Sequence, residues 1–392
     1  QAQAIAFSTD RGRTWKRYAG NPVLDIGLTD FRDPKVLWYA PQKKWVLVVA
    51  LPLEHKVLLY SSSDLKRWIK MSEFGPAGAT GGVWECPDLF ELPVDGQPGV
   101  TRWVLIASIN PGGAVGGSST QYFVGRFDGT RFTADPTRAP NDSPSWADYG
   151  KDFYAAVSYS AMPPGDKRRV WIGWMSNWDY ANAVPTTPWR SAQSIPRALS
   201  LRATPNGYRL AQRPVIELEQ LRGTRRHLAA RDIAVGNSPI ASGGAADRAV
   251  EIVANIDLRA AAEAGLKVRT GINEETIIGI DAKRSIAFID RTRSGDMSFN
   301  PKFTGRHEAP ITIEGGRVRL RLFVDWSSVE LFVNDGQVSI TDLIFPSPTS
   351  DGIALYSKGG PAHLVSGDLW PLTSIWKATL APGTRRLSST AR

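Results

Sequence analysis

The chain has 392 residues, among them 14 Trp, 36 Gly and 27 Pro, and this composition favours many strands and turns over long helices. Its single cysteine excludes an internal disulfide, and the lack of any run of about 18 apolar residues argues against a membrane-spanning helix. The formal net charge of +9 comes without a helix-turn-helix, zinc-ligand or RNA-binding signature, so nucleic-acid binding is not indicated.

The first residues have the pattern of a β-hairpin. Residues 4–8 predict a strand, Asp10-Arg11-Gly12 predicts a turn, and Thr14-Trp15 begins a second strand. No signal peptide opens the chain, because Gln1 leads directly into this strand-like segment.

A unit of four strands is then repeated three times. The copies begin at Phe31-Arg32-Asp33-Pro34, at Glu85-Cys86-Pro87-Asp88 and at Lys151-Asp152-Phe153-Tyr154. Each copy continues with two more strand-like runs, a hairpin turn and a last strand. Four antiparallel strands repeated around an axis form a β-propeller, so we predict an all-β propeller domain over residues 1–213.

The N-terminal hairpin matches only the closing hairpin of such a unit, and the two strands that should precede it are absent from the sequence. We therefore expect the chain to start in the middle of a blade. Three and a half blades do not close a ring comfortably, so missing upstream residues or a second chain are expected to complete the propeller.

Acidic residues recur near the start of the first strand of each unit, which is the strand that lines the central channel of a propeller. They are Asp33, Glu85 and the acidic segment 148–152. We expect these groups to converge on one axial funnel. Several carboxylates that face one cavity are unfavourable, and such an arrangement points to a functional site.

Glu85 lies between Trp84 and Cys86 and is followed by Pro87. We expect its carboxyl group to be poorly solvated, which would raise its pKa toward the range of a proton donor. The alternative is a surface glutamate that leads into an edge strand, and the Trp-Glu dipeptide alone favours this alternative. For Asp33 the alternative is a turn aspartate before proline.

The pattern changes after residue 213. Residues 214–225 contain apolar positions at i, i+3 and i+6, which predict a short helical connector. Residues 226–380 predict a β-sandwich, because strand-like runs such as 320–325 and 329–333 are separated by turns. The polar residues 381–392 are expected to be a disordered tail.

A series of motifs occurs in a fixed order along nearly the whole chain. They are Phe31-Arg32-Asp33-Pro34-Lys35-Val36, Trp84-Glu85-Cys86-Pro87-Asp88-Leu89-Phe90, Asp148-Tyr149-Gly150-Lys151-Asp152-Phe153-Tyr154-Ala155, Ile172-Gly173-Trp174-Met175-Ser176-Asn177-Trp178, Pro185-Thr186-Thr187-Pro188-Trp189-Arg190, Ser194-Ile195-Pro196-Arg197, Asp290-Arg291-Thr292-Arg293-Ser294-Gly295 and Ser327-Ser328-Val329-Glu330-Leu331-Phe332. Together they resemble glycoside hydrolase family 32, the invertase, inulinase and levanase family.

This resemblance implies a five-bladed propeller that carries the active site, followed by a β-sandwich. It also implies cleavage of β-fructofuranosidic bonds with retention. By match to the family motifs, Glu85 is the general acid/base, and Asp33 is the transition-state stabiliser that holds fructose hydroxyls beside Arg32. The chemistry agrees, because a poor leaving group needs a proton and an oxocarbenium-like centre is stabilised by negative charge.

The resemblance implies further sugar contacts. Asp148 matches a position near the sugar-binding subsite, with an Asx-turn before Gly150 as the alternative. Trp84 and Trp189 are expected to pack against fructose rings; for Trp189, ordinary blade packing is the alternative. Cys86 helps to set the environment of Glu85 or is simply a small buried apolar side chain.

One part of the family pattern is missing. A retaining mechanism needs a second carboxylate as nucleophile, about 5–5.5 Å from the acid/base. In this family it is the Asp of an Asn-Asp-Pro-Asn-Gly motif, which the sequence lacks. Three explanations stay open: the chain is a fragment of a normal enzyme, which we favour; a second chain completes it; or the protein binds carbohydrate without hydrolysing it.

The predicted function is therefore an exo-acting β-fructosidase that releases fructose from levan, inulin or sucrose. The alternatives are a fructosyltransferase or a difructose-anhydride-type enzyme of the same family, and an inactive fructan-binding propeller. The four His are scattered, so we predict no metal and no other cofactor. We predict a secreted or periplasmic protein with no membrane or nucleic-acid partner.

Overall fold

The computed structural model describes residues 1–136, 144–241 and 248–376, and its regular structure is almost entirely β-strand. The predicted tail, residues 381–392, lies outside the described residues. Short 3-10 helices occur at Ala40–Gln42, Pro52–Glu54 and Ile216–Leu221. Over the described ranges, no helix combines the length and apolar character needed to cross a membrane.

Four short strands open the chain: β1 (Ala2–Gln3), β2 (Ala6–Phe7), β3 (Lys16–Arg17) and β4 (Leu24–Asp25). β2 and β3 form the predicted hairpin, and β1 pairs with β4. The side chain of Asp10 holds the hairpin turn, because its carboxylate accepts hydrogen bonds from the backbone N–H groups of Arg13 and Thr14 at 3.0 and 2.9 Å.

Three antiparallel sheets follow, and each is a blade of the predicted propeller. Blade one contains β5 (Arg32–Tyr39), β6 (Lys44–Leu51), β7 (Lys56–Ser62) and β8 (Ile69–Phe74). Blade two contains β9 (Val83–Pro93), β10 (Thr101–Asn110), β11 (Ser119–Phe127) and β12 (Phe132–Ala134). Blade three contains β13 (Tyr154–Ser158), β14 (Arg169–Met175), β15 (Ala192–Gln193), β16 (Arg197–Thr204) and β17 (Gly207–Pro214).

The blades are held together by apolar side chains between neighbouring sheets. One buried cluster joins blades one and two and includes Val46, Leu59, Leu105 and Ile109, none of which is accessible to solvent. Burial of each such side chain contributes about 1.5–3 kcal/mol, so this packing supplies much of the stability of the contact between these two blades.

The first strand of each blade has the same backbone irregularity. A β-bulge interrupts the pairing of β5, β9 and β13 with the next strand. At each bulge a residue other than glycine has a positive φ: 62° at Asp33, 47° at Cys86 and 49° at Ala155. This conformation costs about 1–3 kcal/mol per residue. Its occurrence in all three inner strands therefore indicates that the bulge has a specific structural or functional role.

The C-terminal part is a sandwich of two antiparallel sheets. The seven-stranded sheet contains β18 (Arg226–Leu228), β19 (Arg231–Ile233), β21 (Val250–Asp257), β26 (Arg317–Val324), β27 (Ser328–Val333), β28 (Val338–Leu343) and β30 (Ala362–Pro371). The six-stranded sheet contains β20 (Gly236–Ala241), β22 (Glu263–Thr270), β23 (Glu275–Asp281), β24 (Ile286–Arg293), β25 (Arg306–Pro310) and β29 (Gly352–Lys358). The predicted order of a β-propeller followed by a β-sandwich is confirmed.

A buried polar network, the Arg197 network, joins propeller and sandwich. The guanidinium of Arg197, which is fully buried, lies 2.8 Å from Asp148 of the propeller and 2.7 Å from Glu330 of the sandwich. Thr341 completes the network, because its backbone N–H and its hydroxyl both donate to Asp148, at 2.8 and 2.7 Å. Gly150 lets the two domains approach, since a Cβ there would collide with the backbone of Thr341.

In a second buried network, the Arg291 network, the arginine belongs to the sandwich and its carboxylate partner belongs to the propeller. Arg291 lies 2.6 Å from Asp152 of the propeller, and both side chains are fully buried. The hydroxyl of Tyr180 donates to Asp152 at 2.6 Å and accepts from Arg291 at 3.0 Å. Burial raises the pKa of Tyr180 well above its ordinary value, so this hydroxyl stays protonated and keeps its role as donor.

Candidate active site

The starts of the three inner strands bring together an arginine, a glutamate and a tyrosine. Arg32 Nη2 donates to Glu85 Oε1 at 3.0 Å, and the Tyr154 hydroxyl donates to Glu85 Oε2. Each of these residues directly precedes the left-handed residue of its bulge. The same local backbone conformation therefore orients all three side chains toward one another. The Glu85 side chain is 21% exposed and thus remains open to a ligand.

Asp33 lies beside this group. Its Oδ2 atom accepts a hydrogen bond from the backbone N–H of Cys86 at 3.0 Å and lies 3.9 Å from Arg32 Nε. Arg32 also forms an ion pair with Asp30. One guanidinium therefore faces three carboxylates, which leaves a site with excess negative charge that suits a positively charged transition state.

Tyr154 was not predicted as a site residue. Burial, together with its hydrogen bond to Glu85, raises the pKa of Tyr154 far above its ordinary value, so the phenol is a permanent donor to the carboxylate. A signal was present in the sequence, because Tyr154 occupies in the third repeat the position that Arg32 and Glu85 occupy in the first two.

Cys86 lies against the same carboxylates. Its Sγ atom is 3.7 Å from Asp33 Oδ2, and burial with the nearby charges of Asp33 and Glu85 raises the pKa of Cys86 to about 12. At neutral pH the thiol is therefore protonated and a poor nucleophile.

We expect the thiol of the folded protein to resist alkylation. Because Cys86 is the only cysteine, a thiol-specific reagent such as iodoacetamide reports on this residue alone. At pH 8 the native protein should react at least about tenfold more slowly than the protein unfolded in guanidinium chloride, followed by mass spectrometry. Equal rates in the two states would contradict a buried, protonated thiol.

Aromatic side chains extend from the site along blade three. The ring centroids of Tyr154 and Trp174 are 6.2 Å apart, and those of Trp174 and Trp178 are 5.0 Å apart. Trp178 is 52% exposed, and Trp189, which lies on the same connection between β14 and β15, is 45% exposed. Exposed rings of this kind offer flat apolar faces to a ligand.

The structure corrects the expectation for Trp84. This side chain is fully buried, and its indole N–H donates to the backbone oxygen of Ala79 at 2.8 Å. Its ring packs against Phe74, His55 and Phe123 inside the blades. Trp84 is a core residue and does not reach the channel.

The structure also corrects the expectation for Asp148 and for the segment 148–152. Asp148 is 1% exposed, and both of its oxygens are occupied within the Arg197 network. Asp152 is equally enclosed by the Arg291 network. These two carboxylates bind the sandwich, so the acidic groups at the channel are Asp30, Asp33 and Glu85 instead.

The arrangement can move a proton and stabilise a cation. Glu85 is accessible and has a second carboxylate, Asp33, close by. Within the described ranges, no group of three or more His, Cys, Asp and Glu side chains could hold a metal ion. The site presents carboxylates, a guanidinium and a phenol, and a pair of carboxyl groups is what cleavage of a glycosidic bond most often requires.

The chain combines a propeller that carries carboxylates on its inner strands with a β-sandwich. Residues 1–214 match the model of the glycosyl hydrolases family 32 N-terminal domain, and residues 217–371 match that of the family 32 C-terminal domain. The chain belongs to glycoside hydrolase family 32.

Individual relatives agree with this assignment. A levanase of Bacillus subtilis (strain 168) is 50% identical over 384 residues, which cover 97% of this chain and 56% of that protein. An extracellular exo-inulinase of Aspergillus niger is 41% identical over 96% of this chain and 72% of its own length. The crystal structure of exo-inulinase from Aspergillus awamori has a TM-score of 0.87 at 37% identity, covering 96% of this chain and 75% of that one. The chain thus spans little more than half the length of the Bacillus subtilis relative.

Proposed function

We propose that the protein is a retaining β-fructosidase that releases fructose from levan, inulin or sucrose. The observation that carries this proposal is the convergence of Glu85, Asp33 and Arg32 at the inner strands of the propeller. The names of the relatives, levanase and exo-inulinase, support a fructan as substrate. The description of one relative as extracellular supports a secreted protein.

In this proposal Glu85 is the general acid/base. It protonates the oxygen of the leaving sugar and later takes a proton from the attacking water. The hydrogen bonds from Arg32 and Tyr154 fix the position of its carboxyl group, so little reorganisation is needed when the substrate binds.

Asp33 is the proposed stabiliser of the fructosyl cation. Its backbone partner, the N–H of Cys86, orients the carboxylate, and Arg32 beside it is available to fructose hydroxyls. Trp189 remains a proposed contact for a sugar ring. Among the described residues we assign no nucleophile, although a retaining mechanism requires one.

The test is the release of free fructose from levan, inulin and sucrose by the full-length protein. We expect fructose to be the main product from the earliest times, as for cleavage from a chain end. Products longer than the starting sugar would instead indicate a fructosyltransferase. Binding of fructan without any release would indicate a binding module and would contradict the proposal.

A further inference from the structure

The sandwich reaches the propeller through the connection between β24 and β25. This connection, the sandwich segment 294–305, packs on residues 176–191, the propeller segment that connects β14 and β15. Phe303 is fully buried, and its ring centroid lies 5.2 Å from that of Tyr180, which is 2% exposed. Phe299 packs on the same tyrosine at 6.2 Å. The contact is thus an apolar core between two loops.

Polar contacts of the sandwich segment are directed to Asp179. Asn300 Nδ2 donates to the backbone oxygen of Asp179 at 3.0 Å, and Lys302 Nζ lies 2.9 Å from its Oδ1 atom. Lys151 of the propeller completes the group, since its Nζ atom donates to the backbone oxygen of Lys302 at 2.9 Å and lies 3.3 Å from Asp179 Oδ2. The sandwich therefore fixes both the backbone and the side chain of Asp179.

Asp179 directly follows Trp178, the exposed end of the aromatic row that begins at Tyr154. The residue before Trp178 is also fixed, because the fully buried Asn177 donates to the backbone oxygen of Lys151 at 2.8 Å. Trp178 is therefore an exposed ring on a backbone held from both sides. Its large apolar face loses little conformational entropy on binding, as a stacking platform requires.

We propose that the sandwich segment 294–305 is a positioning element of the substrate-binding surface, and that it acts by fixing Trp178 for contact with a fructan chain. The sandwich then contributes to substrate binding as well as to stability. The choice of ligand rests on the proposed function; the positioning of Trp178 does not.

Lys302 is the residue with which to test this, because its side chain is 65% exposed and its loss should affect stability little. The matched control is Arg284, whose side chain is 53% exposed and pairs with Glu308 within the sandwich, at 2.6 Å. Lys302→Ala removes one exposed ion pair, and Arg284→Ala removes two, since Arg284 also lies 3.9 Å from Asp281. Only the first substitution touches the propeller.

The first measurement needs no substrate. The protein is labelled with 5-fluorotryptophan, and the 19F signal of Trp178 is assigned by its loss in Trp178→Phe. We expect Lys302→Ala to shift or broaden this signal and Arg284→Ala to leave it unchanged. An unchanged Trp178 signal in Lys302→Ala would overturn the proposal, whether or not the protein releases fructose.

The second measurement is a double-mutant cycle on inulin hydrolysis. Lys302→Ala should raise KM by about threefold to tenfold with kcat changed less than about twofold, since it disturbs binding only. In a Trp178→Ala background the same change should have almost no further effect on KM. Equal effects in both backgrounds would overturn the proposal, because Lys302 would then act independently of Trp178. A wild-type protein without fructosidase activity would contradict the proposed function alone, and the 19F result would still decide the positioning role.

Discussion

Replacement of Glu85 by glutamine is expected to lower kcat for sucrose and inulin by about 10²–10⁴-fold, because the amide cannot protonate the leaving oxygen. The glutamine side chain has nearly the same shape, and its amide oxygen still accepts from Tyr154, while its NH2 group replaces the oxygen that accepts from Arg32. The substitution thus removes the proton donor and one hydrogen bond but keeps the volume of the site. Binding of fructose or a short inulin, measured by calorimetry, should therefore change far less than turnover. Both quantities are measured on the full-length protein.

Two comparisons make this experiment specific. Glu91→Gln changes an exposed glutamate of the same strand, β9, and should leave kcat unaltered. An aryl β-fructofuranoside has a leaving group that needs little protonation, so its fructosylation step should be affected less in Glu85→Gln than that of sucrose. Full activity of Glu85→Gln on sucrose would exclude Glu85 as the general acid.

Replacement of Arg197 by methionine is expected to lower the free energy of unfolding by about 3–5 kcal/mol, because it leaves buried carboxylates without their cation. Arg197 is the partner of both Asp148 and Glu330, so one substitution removes the charge balance on the two sides of the domain interface. The loss should appear as a lower midpoint in urea unfolding at neutral pH, with the native fold verified by circular dichroism.

The control for burial is Arg168→Met. Arg168 also binds two carboxylates, Asp166 at 2.7 Å and Glu217 at 2.6 Å, but its side chain is 36% exposed. Water compensates for its loss, so the expected change is only about 0–1 kcal/mol per pair. Similar losses for Arg197→Met and Arg168→Met would show that the buried network does not stabilise the domain contact.

The blades could be predicted because their pattern is local. Each strand pairs with a neighbour only a few residues away in sequence, and turns such as the one at Asp128 separate them. The domain interface could not be predicted in this way. Asp148 forms the predicted alternative, a turn in which it accepts from the N–H of Gly150 at 2.9 Å, but it also binds Thr341, which lies 193 residues further along the chain, and no short-range pattern indicates this second contact.

The site was predicted in part. Glu85, Asp33 and Arg32 lie together as the resemblance implied, but the assignment of Trp84 ignored the geometry of a strand. Successive side chains of a regular strand point to opposite faces, so Trp84, which precedes the channel-facing Glu85, points into the blade, whereas Cys86 lies in the bulge, where the alternation is interrupted. The same alternation, followed across the three repeats, would have found Tyr154.

The repeated bulge has a consequence for redesign. In blades two and three the backbone requirement falls on Cys86 and Ala155, whereas the reactive side chain, Glu85 or Tyr154, belongs to the residue before the left-handed position. Shape and reactivity are thus encoded at separate, adjacent positions in these two blades, whereas Asp33 combines them in blade one. An engineer can exchange the reactive residue of one blade, for instance at Tyr154, while the neighbouring position preserves the local path of the chain.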